Sequence, residues 1–242
     1  MPTVERLTKH YETKYATSDF SKVAAVPLVR RPKDRRQAAV HLAAQSNGGS
    51  YLEIGAGDGG TMLALAGRYD RLVATDLSAV RVKHLQLLFQ REPKVEVLQN
   101  NLETDGLPFP AAEFDTAAMV DVIEHFVDPI GALKEIHRVL KAGGRLIVHT
   151  PNIARWTRRI KLLFGYFPST ASLREGLLQY DGRTPTDLHD EGHLHYFTFR
   201  SVSRLAIDRA GFRATQFYGY RTPMLSKVWP EMFSDVCVIL YK

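Results

Sequence analysis

The stretch YLEIGAGDGG at residues 51–60 decides the fold. Tyr51 to Ile54 is a short apolar run of the kind that makes a buried strand. It runs into Gly55, Gly57 and Gly60, and helix-like residues follow over 61–69. Glycines at a strand-to-helix turn let the backbone bend tightly and approach a ligand, because no Cβ stands in the way. A second strand-like run, Arg71 to Thr75, ends at Asp76. A carboxylate at that point is placed to accept hydrogen bonds from two ribose hydroxyls. Together these features predict a pocket for an adenosine-bearing cofactor.

The spacing Gly55-x-Gly57-x-x-Gly60 also fits a dinucleotide fingerprint, and alone it does not separate a nicotinamide cofactor from S-adenosylmethionine. Three features favour the second. Glu53 lies two residues before the first glycine, where it would repel a pyrophosphate at the helix N-terminus. The same carboxylate suits a sulfonium ligand that carries an ammonium group. Asn101-Leu102 follows a third run, Val95 to Leu98, and offers an amide and a backbone N–H to an adenine edge. FDTAAMVDVIEH at 114–125 reads as a fourth strand with its exit loop, and LKEIHRVLKAGGRLIV follows at 133–148.

These pieces, with ATDLS at 74–78, NNLETDGLPFP at 100–110 and HTPN at 149–152, resemble the core of a class I S-adenosylmethionine-dependent methyltransferase. The resemblance covers residues 51–150 tightly. It implies a Rossmann-like, doubly wound α/β sheet of seven strands, mostly parallel with an antiparallel last strand, plus a small helical cap insertion. It also implies S-adenosyl-L-methionine as cofactor. The residues assigned to that cofactor are Tyr11, Glu53, Gly55, Ala56, Gly57, Asp76, Leu77, Asn101, Leu102 and Asp121. Asn101 stands where many family members carry Asp, and an amide still bonds adenine. Ala56 replaces a common Cys. PNIARWTRRIKLLFGYFP at 151–168 is similar to the same stretch of MetW-like methyltransferases and of relatives found with bacterial glycan or lipid biosynthesis.

Composition bounds the rest. The chain has 242 residues, 45% hydrophobic and 24% charged, enough for one α/β domain with a full core. Its net charge of +6 favours anionic partners. The basic residues fall in scattered clusters, which argues against a nucleic-acid face. Single Cys237 excludes an intramolecular disulfide. No run approaches 18 apolar residues and no apolar signal core opens the sequence, so the expected location is cytoplasmic.

One domain is expected, in four parts: an N-terminal helical segment over 1–46, a cofactor core over 50–150, an acceptor-cap insertion over 151–195, and a C-terminal helix and strands over 196–242. Strands are expected at 50–54, 71–75, 94–98, 114–120 and 144–150, with Phe212 to Tyr220 and Asp235 to Tyr241 last. Helices are expected at 32–46, begun by Pro32, and at 60–68, 78–91, 129–141 and 201–210. Arg155 to Phe167 reads as a basic amphipathic helix that either packs on its own domain or lies on an anionic membrane surface.

Ligands in open α/β sheets bind outside the carboxyl ends of the strands. The catalytic candidates are therefore Glu124 and His125, which leave the fourth strand, and His193 and His195 in HDEGHLHYFT at 189–198. Each is a possible proton acceptor, weighed against plain hydrogen bonding within the loops. That segment lacks a cysteine-based zinc spacing, so no metal is expected. The leading reading is methyl transfer to a small-molecule, glycan or lipid-linked acceptor, with oxygen as the expected atom. Competing readings are an RNA or DNA methyltransferase, a dehydrogenase, and a non-catalytic partner protein that keeps the cofactor pocket.

Overall fold

The computed structural model describes residues 4–16, 20, 22–170, 192–222 and 224–242. Seven strands form one sheet: β1 (Ser50–Ile54), β2 (Arg71–Asp76), β3 (Val95–Gln99), β4 (Phe114–Val120), β5 (Leu140–Thr150), β6 (Ala214–Phe217) and β7 (Val236–Tyr241). Their order is β3-β2-β1-β4-β5-β7-β6. The first five run parallel, and β7 lies antiparallel between β5 and β6. The chain order reverses beside β1, so the ends of β1 and β4 open a crevice at the switch point.

The central strands β1 and β4 are mostly apolar because both faces are covered. Every residue of β1 is buried. Successive side chains then feed opposite cores: Leu52 and Ile54 enter one cluster and Tyr51 the other. Strand β7 divides the same way, with Val236, Val238 and Leu240 on one face and Cys237 and Ile239 on the other. The first core is closed by α6 (Pro129–Val139), whose Ala132, Leu133, Ile136 and Val139 form a single apolar stripe. The second is closed by α2 (Arg35–Ala43) and α3 (Gly60–Leu65).

Local chemistry sets the helix starts. Asp34 caps α2 through the Gln37 N–H, Ser78 caps α4 (Ala79–Leu88), and Asp128 caps α6 ahead of Pro129. Thr198 and Ser201 form a reciprocal capping box on α8 (Phe199–Arg204). The N-terminal helix α1 (Val4–Tyr15) is tied to the start of α4, because Glu12 accepts from the Ala79 N–H and the Ser78 hydroxyl.

Several boundaries differ from expectation. Pro32 does not begin α2; the Asp34 cap sets its start at Arg35. The helix expected to reach residue 141 stops at Val139. Leu140 already pairs with Phe114, and Gly143 and Gly144 lie inside a strand whose register shifts between Phe114 and Thr116. The helix expected over 201–210 begins at Phe199 and widens into a π-type turn over Leu205–Arg209. The strand expected from Phe212 to Tyr220 is confined to β6. Of the expected 151–195 insertion, residues 171–191 lie outside the described residues. Its helix, α7 (Trp156–Leu163), buries no residue. The apolar stripe of this helix is therefore not packed on the domain, as Leu163 at 79% and Phe164 at 71% exposure make plain.

Burial separates two leucines that a composition count would treat alike. Leu146→Ala in β5, fully buried, is expected to cost about 2–5 kcal/mol in chemical denaturation. Leu162→Ala on α7, 65% exposed, should stay within about 0.5 kcal/mol of the parent.

Candidate active site

The carboxyl ends of the parallel strands line a cavity of about 460 Å³. Sheet order arranges its walls. Asn100 and Asn101 follow β3, Asp76 ends β2, Gly55 to Asp58 follow β1, Asp121 and Val122 follow β4, and Pro151 follows β5. Tyr11, Lys14 and Tyr15 of α1 also line it.

The glycine turn is built against β2. Thr75 O accepts from the N–H groups of Gly55 (2.8 Å) and Ala56 (3.0 Å). The Asp76 carboxylate accepts from the N–H groups of Gly57 and Ser78, both at 3.0 Å. Gly55 has φ +71°, and a Cβ there would stand 2.6 Å from the Val122 side chain. Only glycine meets both demands. Gly57, at φ +61°, faces open space, so a ligand can approach its backbone closely.

Two acidic groups are buried in this wall. Burial lifts the Glu53 carboxyl to about 8, with Arg36 offsetting part of the rise. Its Oε2 atom is buried and makes no hydrogen bond among the described residues. Burial also raises the Asp76 carboxyl, against the pull of Arg81. A buried, unpaired carboxyl oxygen on a cavity wall is a receptor for a donor or cation that the chain itself does not supply.

Asn101 lines the cavity and at the same time caps α5 (Leu102–Asp105), accepting from the Glu103 N–H at 3.2 Å. Leu77 and Leu102 line the cavity beside it. Asp121 takes a left-handed backbone, φ +54°, and its side chain lies between Arg35 and His149. Arg35 meets it at 2.8 Å and the His149 Nδ1 atom at 2.5 Å. Burial would raise the Asp121 carboxyl, but His149 and Arg35 outweigh it and hold it below the usual carboxylate range. The other His149 nitrogen lies 2.6 Å from the Tyr220 hydroxyl, which burial keeps protonated.

The four catalytic candidates separate. His125 and His193 line the cavity with their rings 4.7 Å apart, edge to face. The His125 Nδ1 lies 2.6 Å from the Tyr11 hydroxyl and 3.0 Å from Gly192 O. Burial pushes this imidazole down to about 4, so it is neutral at physiological pH. Glu124 sits behind the wall, and its Oε2 accepts from the Thr150 hydroxyl at 2.9 Å. Burial and the Asp121 charge raise its carboxyl far above the ordinary range. His195 is not brought to the cavity. Its N–H donates to Glu124 O, and its ring lies near Phe197. His189, Asp190 and Glu191 lie outside the described residues. Sequence reasoning missed Arg35, Arg36, Thr61 and the Asp121–His149–Tyr220 chain. None of these carries a spacing signal, because the sheet alone brings them together.

The methyltransferase-domain family matches residues 52–148, the part that builds this cavity wall. Residues 52–148 belong to the class I S-adenosylmethionine-dependent methyltransferase superfamily. A Mycobacterium tuberculosis protein named as a probable S-adenosylmethionine-dependent methyltransferase is 36% identical over 122 residues, covering 49% of this chain and 42% of that protein. A ubiquinone/menaquinone biosynthesis C-methyltransferase of Syntrophotalea carbinolica is 34% identical over 116 residues, covering 47% and 48%. The chain thus spans less than half the length of either relative. Among solved structures, Haemonchus contortus phosphoethanolamine N-methyltransferase 2 in complex with S-adenosyl-L-methionine superposes with TM-score 0.58 at 16% identity. That match covers 95% of this chain and 45% of the other. At that identity it shows the shared fold.

The residues present fit the superfamily's cofactor. The orphaned Glu53 oxygen suits its ammonium group, and the Asp76 carboxylate keeps lone pairs for ribose hydroxyls. Because Glu53 rests near 8, a cation beside it would drive out its proton. S-adenosylmethionine binding should therefore tighten as pH rises from about 6 to 7.5, by at most tenfold per unit, with proton release visible as buffer-dependent heat. Glu53→Gln should bind more weakly and lose this dependence. A flat affinity profile in the parent protein would refute the assignment.

Proposed function

We propose that this protein transfers a methyl group from S-adenosylmethionine to a hydroxyl oxygen of a small-molecule, glycan or lipid-linked acceptor. The observation that carries the reading is one cavity with two chemically different walls. A glycine turn with buried Glu53 and Asp76 stands on one side, and the imidazoles of His125, neutral at physiological pH, and of His193 stand on the other. Glu53 neutralises the ammonium group, Asp76 orients the ribose, and Asn101 with the Leu102 N–H reads the adenine. Bound there, S-adenosylmethionine supplies an electrophilic methyl group that already carries its leaving group. The remaining work is alignment of the acceptor, which can contribute several powers of ten in rate. The contacts of His125 Nδ1 leave Nε2 as the nitrogen available to the acceptor side of the cavity. In this reading α1, whose Tyr11, Lys14 and Tyr15 line the cavity, covers the acceptor.

Among the three acceptor classes, the rim favours a lipid-linked one. Trp156, Ile160 and Leu163 of α7, and Phe164 at its C-terminal cap, are exposed beside Arg159 and Lys161. Met224, Val228 and Trp229 are exposed around α9 (Leu225–Val228) and Lys227. The Asn152 amide ties the base of α7 to Glu231 O and Ser234 O, which keeps both patches at the cavity end of the sheet. Apolar groups ringed by cations suit peripheral contact with an anionic membrane. No helix among the described residues is long and apolar enough to cross one.

Asp76→Ala should weaken S-adenosylmethionine binding by about 3 kcal/mol, roughly a hundredfold in Kd, from two lost charge-assisted hydrogen bonds. With methyl-labelled cofactor and an extract of the source cells, label is expected in an alkali-stable ether of the organic-soluble pool. Saturable binding that is absent from the intact parent protein would defeat the proposal.

A further inference from the structure

We infer that Glu124, His125 and His193 form a site for a divalent cation of the Zn²⁺, Fe²⁺ or Mn²⁺ class, which holds the acceptor hydroxyl and acidifies it. The acceptor role rests on the proposed methyl transfer; the site itself does not. One ligand atom from each of the three residues lies within 4.8 Å of the other two. Ligands that share such an ion sit at about 2.0–2.2 Å from it, so small side-chain rotations close the set.

Three further observations point the same way. Glu124 is 1% exposed, and its Oε1 is buried without a hydrogen-bond partner among the described residues, while Oε2 is held by Thr150. A cation satisfies such an oxygen where no donor does. Both imidazoles have a second contact of the sort that orients metal ligands: Gly192 O lies 3.0 Å from His125 Nδ1, and the Thr170 hydroxyl lies 2.7 Å from His193 Nδ1. The Asp121 carboxylate is close enough to act electrostatically on Glu124 and His193, and it adds negative potential at the same place.

Two imidazoles and one carboxylate favour a borderline transition ion over Mg²⁺ or Ca²⁺. Three protein ligands leave coordination positions open, as catalytic sites do and structural sites do not. Because His125 and His193 line the cavity, those positions face the acceptor. A hydroxyl bound there gives up its proton to water at a lower pH, and its oxygen keeps the electron pair while held by the ion. His125 then acts on the acceptor through the metal and does not take the proton itself. The sequence did not foretell the site, since residues 124, 125 and 193 match no ligand spacing until the loop before Thr198 folds back on the exit of β4.

The test uses the metal-stripped full chain. Mn²⁺ is titrated by the loss of its free electron paramagnetic resonance signal, and Co²⁺ by visible absorption, for the parent protein and His193→Ala. His193 is partly exposed, so this variant is expected to fold; Glu124→Gln is the second variant. One equivalent should bind the parent, and His193→Ala should weaken it at least about tenfold, with S-adenosylmethionine affinity within about twofold. No saturable single site, or equal binding by parent and His193→Ala, would overturn the inference. Metal binding lost in His193→Ala supports the site whatever the cofactor does. Absent S-adenosylmethionine binding would count against the proposed function alone.

Discussion

The bond from the Gly57 N–H to the Asp76 carboxylate is the constraint on which the rest of the cavity depends. It joins the turn after β1 to the end of β2, and the two bonds to Thr75 O reinforce it. The turn can take this path because residues 55 and 57 tolerate positive φ. Once it is set, α3 starts at Gly60, α4 starts behind Ser78, and the crevice beside β4 has a floor. The same carboxylate that pins the loop is the one we propose for the ribose, which would make loop geometry and cofactor recognition a single feature.

Buried charge explains why the chain should prefer a cationic ligand. Glu53 and Glu124 both lie in low dielectric, both have carboxyls raised by burial, and each presents one oxygen with no partner among the described residues. Their desolvation is a cost that packing elsewhere must offset. Asp121 differs because Arg35 and His149 compensate it, and it stays ionised. The cavity wall therefore holds the ionised Asp121 and, in Glu53, a carboxyl that a cation would ionise, with Glu124 behind it. Of the basic residues behind the net charge of +6, Lys14, Arg35, Arg36 and Arg81 line the cavity, and others stand beside the exposed apolar patches.

The strands β1, β2 and β4 were legible in the sequence because each is a short, mostly apolar run, largely buried and bounded by Gly, Pro or polar residues. A strand boundary was missed: the strand expected to begin at 144 begins at Leu140, and Gly143 lies inside β5 where its register shifts. Of the cofactor wall, Glu53, Gly55, Gly57, Asp76 and Asn101 could be placed because each sits at a strand's carboxyl end. The rest of the candidate site was hidden for a physical reason. Adjacent residues diverge in direction, so Glu124 turns inward to Thr150 while His125 faces the cavity, and His193 lines it while His195 does not. Arg35 on α2 and His149 on β5 meet Asp121, and Tyr220 meets His149, only in the folded sheet, which no spacing encodes. The apolar stripe of Arg155–Phe167 was visible, but whether it packed inward or faced solvent was a tertiary question.

The most direct measurement is a crystal structure grown with S-adenosylhomocysteine. The account predicts the Asp76 carboxylate within hydrogen-bond distance of both ribose hydroxyls, the Glu53 carboxylate beside the amino group, and the adenine edge at Asn101 and Leu102. A nucleoside bound elsewhere, or a pyrophosphate seated on the glycine turn, would contradict it.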